Sequence, residues 1–108
     1  GAKRLVKRTR SIRVEVYAPK GGWGMVTVAV ASRSARLVEE VARVLGEKGY
    51  GRPEPSTDKY GFHRVVYRDL TMEDVGEIME ASRRVLEEAG REGGRRGGDR
   101  RRPQSVSN

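Results

Sequence analysis

The stretch from Ile12 to Ser32, IRVEVYAPKGGWGMVTVAVAS, decides the fold. Apolar residues alternate with polar ones from Ile12 to Ala18, which is the period-two pattern of a strand with one buried face. Residues 19–24 then contain one proline and three glycines, which are typical of a turn. A second alternating run follows from Met25 to Ser32, with valines on one side and small residues on the other. The sequence therefore predicts a β-hairpin.

Two helices are predicted downstream of the hairpin. Ser34 can cap the first helix, and Gly49 suits the left-handed position that follows its end. The second helix is expected to start after Thr71, because Asp74 lies three residues further on and completes a short-armed capping box. Gly90 is expected to end this helix.

A third strand is predicted between the two helices. Tyr60 to Arg68 should pair with the hairpin, and residues 51–59 form a loop that could include a short edge strand. The order is β-β-α-β-α, or β-β-α-β-β-α if the loop yields a strand. Either order predicts an α+β fold, with an antiparallel sheet of three or four strands and two helices packed on one face. The other face of the sheet should be partly open.

The net charge of +8 is concentrated at the two ends of the chain. Residues 1–13 carry six basic residues and no acidic one, and residues 91–108 carry six arginines against two acidic residues. We therefore divide the chain into a basic flexible arm (1–10), an α+β globular domain (11–90) and a disordered Arg/Gly-rich tail (91–108). Two basic arms beside a near-neutral domain predict a nucleic-acid partner.

The expected nucleic-acid contacts combine the arms with the open sheet face and the hairpin. Arginine and aromatic side chains on an open sheet face contact and stack on single strands. Trp23, in the glycine-rich turn, could either stack on an unpaired base or fold back over the core. Phe62 and Tyr67 lie on opposite faces of their strand, so at least one must belong to the core. The candidate residues are Lys3, Arg4, Lys7, Arg8, Arg10, Arg13, Tyr17, Lys20, Trp23, Arg64, Arg68, Arg95, Arg96, Arg100, Arg101 and Arg102.

The sequence predicts no enzyme and no cofactor. There is no cysteine, His63 is the single histidine, and no serine stands in a G-x-S-x-G turn. One histidine in a strand is more typical of a surface or sheet residue than of a metal ligand. No apolar run reaches membrane-spanning length, so we expect a cytoplasmic protein without a membrane partner.

Residue usage adds a comparison with a known family. The only Asn and Gln are Asn108 and Gln104, and charge is supplied mostly by Arg and Glu, which fits a thermophile or a GC-rich coding bias. In size, residue usage and a β-β-α-β-type core with a charged tail, residues 11–90 resemble the ThermoDBP-related proteins. Those are small basic proteins of hyperthermophilic archaea that bind single-stranded DNA or RNA. The resemblance implies single-stranded nucleic acid rather than duplex, and it assigns no individual residues.

The function expected from the sequence is therefore single-stranded DNA or RNA binding without catalysis. The alternative is a non-catalytic accessory or adaptor subunit of a nucleoprotein or polymerase assembly, which would bind protein through its core. An exposed strand edge would also allow two copies of the chain to pair as a homodimer.

Overall fold

The computed structural model describes the backbone of residues 3–8, 12–21 and 24–101, and the side chains of residues 12–21 and 24–91. Its elements are, in chain order, β1 (Lys3–Arg8), β2 (Arg13–Ala18), β3 (Val26–Ser32), α1 (Ala35–Glu47), β4 (Ser56–Thr57), β5 (His63–Leu70) and α2 (Met72–Arg101). The strands form one antiparallel sheet in the order β1-β2-β3-β5-β4. The predicted α+β class is confirmed, as is the order β-β-α-β-β-α from β2 to α2.

The β2–β3 hairpin fixes which side chains face the helices. Its register pairs Val14 with Val30 and Val16 with Val28. Because side chains alternate along a strand, these valines share one face of the sheet, and all are almost fully buried. β5 continues this face next to β3, where Val65 pairs with Val30.

The first helix begins and ends as its sequence predicts. The Ser34 hydroxyl accepts a hydrogen bond from the backbone N–H of Leu37 at 3.2 Å. Gly49 adopts a φ of +99°, and the N–H of Tyr50 donates to the carbonyl of Leu45 at 3.0 Å, which closes the end of the helix.

The second helix begins at the predicted capping box, which also joins the two helices. The N–H of Asp74 donates to the Thr71 hydroxyl at 3.2 Å, and the N–H of Thr71 donates to the Asp74 carboxylate at 2.9 Å. The Tyr50 hydroxyl, which follows α1, donates to the same carboxylate at 3.0 Å. Burial, followed by the neighbouring carboxylates, raises the pKa of Tyr50 to about 12.

Both helices pack on the valine face of the sheet and form one core with it. Val41 and Leu45 of α1 and Ile78 of α2 are fully buried there. Tyr67 also lies in this core, with its ring edge-on to Tyr50, so Tyr67 is the core aromatic of β5.

The structure differs from the sequence prediction at both ends of the domain. Residues 1–10 are predicted to be a flexible arm, but Lys3–Arg8 form β1, an edge strand in register with β2. The edge of β2 offers a row of backbone N–H and C=O groups, and Leu5 and Val6 are apolar residues that suit a strand, so pairing is favoured. Gly1, Ala2, Thr9 and Arg10 lie outside the described residues.

At the other end, Gly90 does not stop the second helix. α2 continues to Arg101, through part of the tail that is predicted to be disordered. Each residue added to an existing helix gains a hydrogen bond without a new nucleation cost. The five arginines of residues 91–101 favour a helix, although the four glycines among them oppose it. Residues 102–108 lie outside the described part of the chain.

Candidate nucleic-acid interface

The face of the sheet opposite the helices, here called the open face, collects most of the predicted sheet contacts. Both helices pack on the other side, and among the described residues no helix covers this one. Strand alternation assigns to the open face Arg13, Glu15 and Tyr17 of β2, Thr27, Ala29 and Ala31 of β3, and Arg64, Val66 and Arg68 of β5.

The centre of the open face is a buried carboxylate held by three donors. One Glu15 oxygen lies 3.0 Å from Arg13, and the other lies 3.3 Å from Arg64 and accepts the Tyr17 hydroxyl at 2.8 Å. Glu15 is only 1% exposed, although it lies on the face without helices. The small side chains of Ala29 and Ala31 on β3 make room for these groups to meet across the strand.

Two arginines contact Phe62 at one end of the open face. The guanidinium carbons of Arg13 and Arg33 lie 5.1 and 5.2 Å from the centroid of the Phe62 ring, within the range of cation–π attraction. Arg33 is exposed, whereas Phe62 is half-buried. A guanidinium supported by an aromatic ring presents a flat surface on which a base can stack.

A short loop positions Phe62. One Asp58 carboxylate oxygen accepts the backbone N–H groups of Tyr60 and Phe62 at 2.8 and 3.0 Å, and the other lies 3.6 Å from Arg64. Gly61 turns the chain with a φ of +89°. The hydrogen bond from Phe62 is the main cause that holds the pKa of Asp58 below its usual value, assisted by that from Tyr60 and by the nearby Arg64.

Arg13 and Arg64 have more N–H donors than the carboxylates of Glu15 and Asp58 engage. The Nε atoms of Arg13 and Arg64 are buried and have no hydrogen-bond partner among the described residues. A buried donor without a partner costs free energy, and because both Nε atoms are shielded from solvent, a ligand could accept from them only after these side chains move.

The opposite end of the open face carries Arg68 and the hairpin turn. The register of β5 against β3 shifts there, and Arg68 and Asp69 stand together opposite Thr27 in a β-bulge. Asp69 takes a left-handed φ of +60°, and Arg68 is exposed. Lys20, in the turn, is exposed as well.

β1 adds positive charge along the edge of the open face. Its sequence, KRLVKR, has four basic residues and no acidic one. In the register with β2, Arg8 stands beside Arg13 and Arg4 stands beside Tyr17.

The helices carry the opposite charge. Ala35–Glu47 of α1 and residues 72–91 of α2 together contain five basic residues and nine acidic ones. A groove of about 770 Å³ runs between them, floored by Val44, Ala81 and Val85, and its rim has five acidic residues against three basic ones. This excess of acidic residues would repel a polyanion. Although the groove is large, it is therefore not a suitable site for nucleic acid.

The structure brings together part of the predicted set and leaves part of it undescribed. Arg13, Tyr17, Arg64 and Arg68 share the open face, and Lys20 lies in the adjoining turn. Lys3, Arg4, Lys7, Arg8, Arg95, Arg96, Arg100 and Arg101 are described by their backbone alone, and Arg10, Trp23 and Arg102 lie outside the described residues.

The sequence prediction missed Arg33 and left Phe62 open as either a core or a surface residue. Arg33 lies one residue beyond β3, and only the pairing of β3 with β5 brings it to Phe62. Arg33 follows Ala29 and Ala31 at a spacing of two residues. If the predicted strand had included Arg33, this spacing would have placed it on the same face.

No helix within the described residues is both long and apolar enough to cross a membrane. The described side chains include no group of three or more His, Asp or Glu residues arranged to hold a metal ion.

Comparison of the chain with protein-family models, with curated proteins and with solved structures finds no match. The resemblance to the ThermoDBP-related proteins therefore stays a prediction.

Proposed function

We propose that the protein binds single-stranded nucleic acid on the open face of its sheet, without catalysis. The observation that carries the proposal is the cluster of Arg13, Arg33 and Arg64 around Phe62 and Glu15 on a face that the helices leave uncovered. Arginine binds phosphate oxygens with paired N–H groups, and its plane stacks on bases. One cluster thus offers both contacts that a single strand needs.

Glu15 supports this function by positioning rather than by contact. Because it is buried and paired with Arg13 and Arg64, it limits the positions that these two guanidinium groups can take. Arginines held in advance lose less side-chain entropy when a ligand binds. The acidic helices on the far side of the molecule orient an approaching polyanion towards the open face.

Fluorescence anisotropy with a labelled decathymidylate, measured over a range of salt concentrations, tests the proposal. The double variant Arg33→Gln/Arg68→Gln removes two exposed charges from opposite ends of the open face. We expect about tenfold weaker binding, or about 1.4 kcal/mol. The slope of log affinity against log salt should also become shallower by about 1.4, since each lost phosphate contact accounts for about 0.7 with single strands.

The double variant Arg43→Gln/Arg84→Gln is the matched control. It removes two charges from the helices, both from side chains that are more than half exposed. Binding close to that of the wild type is expected. Equal losses from the two double variants, or an affinity of the wild type that does not change with salt, would refute the proposal.

A second candidate function is that of an accessory subunit which binds protein through the helical groove. The apolar floor and acidic rim of this groove fit a basic amphipathic peptide. Under this alternative, changing the partly buried Val44 to Glu would abolish co-purification of a protein partner and leave oligonucleotide affinity unchanged.

A further inference from the structure

The cations of the open face lie in two rows that cross the strands. In the first row, sheet pairing aligns Arg8, Arg13, Ala31 and Arg64, and Arg33 lies beside it at Phe62. This set is called the Phe62 row.

The second row lies towards the hairpin turn. Pairing aligns Arg4, Tyr17 and Thr27, and Arg68 faces Thr27 at the bulge. This set is called the hairpin row.

A row without free cations separates the two. Pairing aligns Val6, Glu15, Ala29 and Val66 between them, and the single charge in this middle row is buried against Arg13 and Arg64. Arg13 and Tyr17 are four residues apart on β2, so the two cationic rows are about 13 Å apart at 3.3 Å per residue.

The side chains along β3 favour a path from one row to the other. Ala29 and Ala31 are short and almost fully buried, because Arg64 of β5 reaches across β3 to Glu15 of β2 at 3.3 Å. A nucleic-acid strand that follows β3 therefore passes over this ion pair and meets an exposed arginine at each end of β3, Arg33 beside Phe62 and Arg68 opposite Thr27. Because Arg13 and Arg64 neutralise Glu15, the middle row does not repel phosphates.

We infer that a bound single strand runs along β3 and occupies the Phe62 row and the hairpin row together. Full binding then needs about five nucleotides or more, because stacked nucleotides rise 3.4 Å each and about four such steps span the distance between the rows. A strand that instead crossed the β-strands along one row would contact that row alone. The inference rests on the proposed function and adds its direction and its minimum length.

A length series tests the inference with two exposed arginines as probes. Affinities of oligothymidylates from the dinucleotide to the dodecanucleotide are measured for the wild type, Arg33→Gln and Arg68→Gln, with Arg84→Gln as the helix-face control. Arg33→Gln should weaken all lengths, because the Phe62 row is the stronger cluster and holds the shortest ligands. Arg68→Gln should leave the dinucleotide unaffected and weaken oligomers above about four nucleotides, by about threefold or more.

The outcomes separate this inference from the proposed function. If the dodecanucleotide binds the open face but Arg68→Gln has the same effect at every length, or no effect at any, the path along β3 is wrong and the function stands. If no oligothymidylate binds the wild type, the proposed function fails, and the inference fails with it.

Discussion

Glu15 is the residue on which the open face depends. A buried carboxylate is costly unless its charge is paired and its oxygens accept hydrogen bonds. Here Arg13, Arg64 and Tyr17 supply these partners from two different strands. The same contacts that make the burial of Glu15 tolerable also fix the arginines that we assign to nucleic acid.

Replacement of Glu15 with Gln should therefore lower stability strongly. Gln keeps the size of the side chain but removes the charge, which leaves Arg13 partly buried without a counter-ion and Arg64 with Asp58 alone. We expect the free energy of unfolding to fall by about 3 kcal/mol, measured by urea denaturation. The exposed Glu39→Gln on α1 is the control, with a change within about 0.5 kcal/mol. A loss as small as that of the control would mean that the carboxylate is not structurally important.

Asp58 should make the Phe62 loop sensitive to acid. Its pKa lies below the ordinary value of 3.8 in the folded protein, chiefly because the N–H of Phe62 donates to it. The unfolded chain therefore takes up the proton first as the pH falls. The stabilisation is complete above the ordinary Asp pKa and is lost as the pH drops through the lower folded value.

The Asp58→Asn variant isolates this effect, because its amide oxygen can still accept the two backbone N–H groups. We expect thermal unfolding temperatures of the variant and the wild type to converge as the pH falls below about 4. The carboxylate of Asp74, whose pKa is also lowered, chiefly by the N–H of Thr71, is common to both proteins and cancels from the comparison. Curves that stay parallel across this range would contradict the assignment.

At the scale of single residues, the sequence predicted those positions that follow from the alternation of side chains along one strand. Arg13 and Tyr17 were expected on the open face because β2 alternates, whereas the alternation of β5 left open which of its two sides, that of Arg64 or that of Tyr67, faces the helices. The contact of Arg33 with Phe62 could not be predicted, since it depends on the register between strands that are separated by a helix.

At the scale of elements, local signals predicted the hairpin and the helix starts, whereas β1 and the end of α2 needed more than local sequence. β1 has only two apolar residues among basic ones, and it is the neighbouring edge of β2 that favours a strand there. The length of α2 past Gly90 likewise depends on the helix already formed before it. Both differences place residues that were assigned to arms within elements of the fold.

Because β1 is part of the sheet, its charges and its backbone should have separable roles. Replacement of its four basic residues, Lys3, Arg4, Lys7 and Arg8, with Gln keeps the backbone groups that pair with β2. We expect weaker decathymidylate binding with a salt dependence shallower by up to about 2.8, and little change in stability. Deletion of residues 1–8 should reduce both affinity and thermal stability, as followed by circular dichroism. A deletion that leaves the unfolding temperature unchanged would show that β1 does not stabilise the sheet.

At the scale of the whole molecule, charge is divided between the two sides of the sheet. The helices carry an excess of acidic residues, and the open face with β1 carries an excess of basic ones. In the sequence, the net positive charge lies in the arms and the domain is slightly negative. The net charge of the domain does not reveal that its basic and acidic residues lie on different faces. The fold converts a near-neutral domain into one with a basic face and an acidic face.

Chemical-shift mapping of backbone amides with decathymidylate tests the central claim, that the open face of the sheet binds single strands. The account predicts the largest shifts in β2, in β3, in β5 and in residues 58–62, with small shifts along the groove between α1 and α2. Largest shifts in α1 and in α2 before Gly90, with the sheet unaffected, would contradict it.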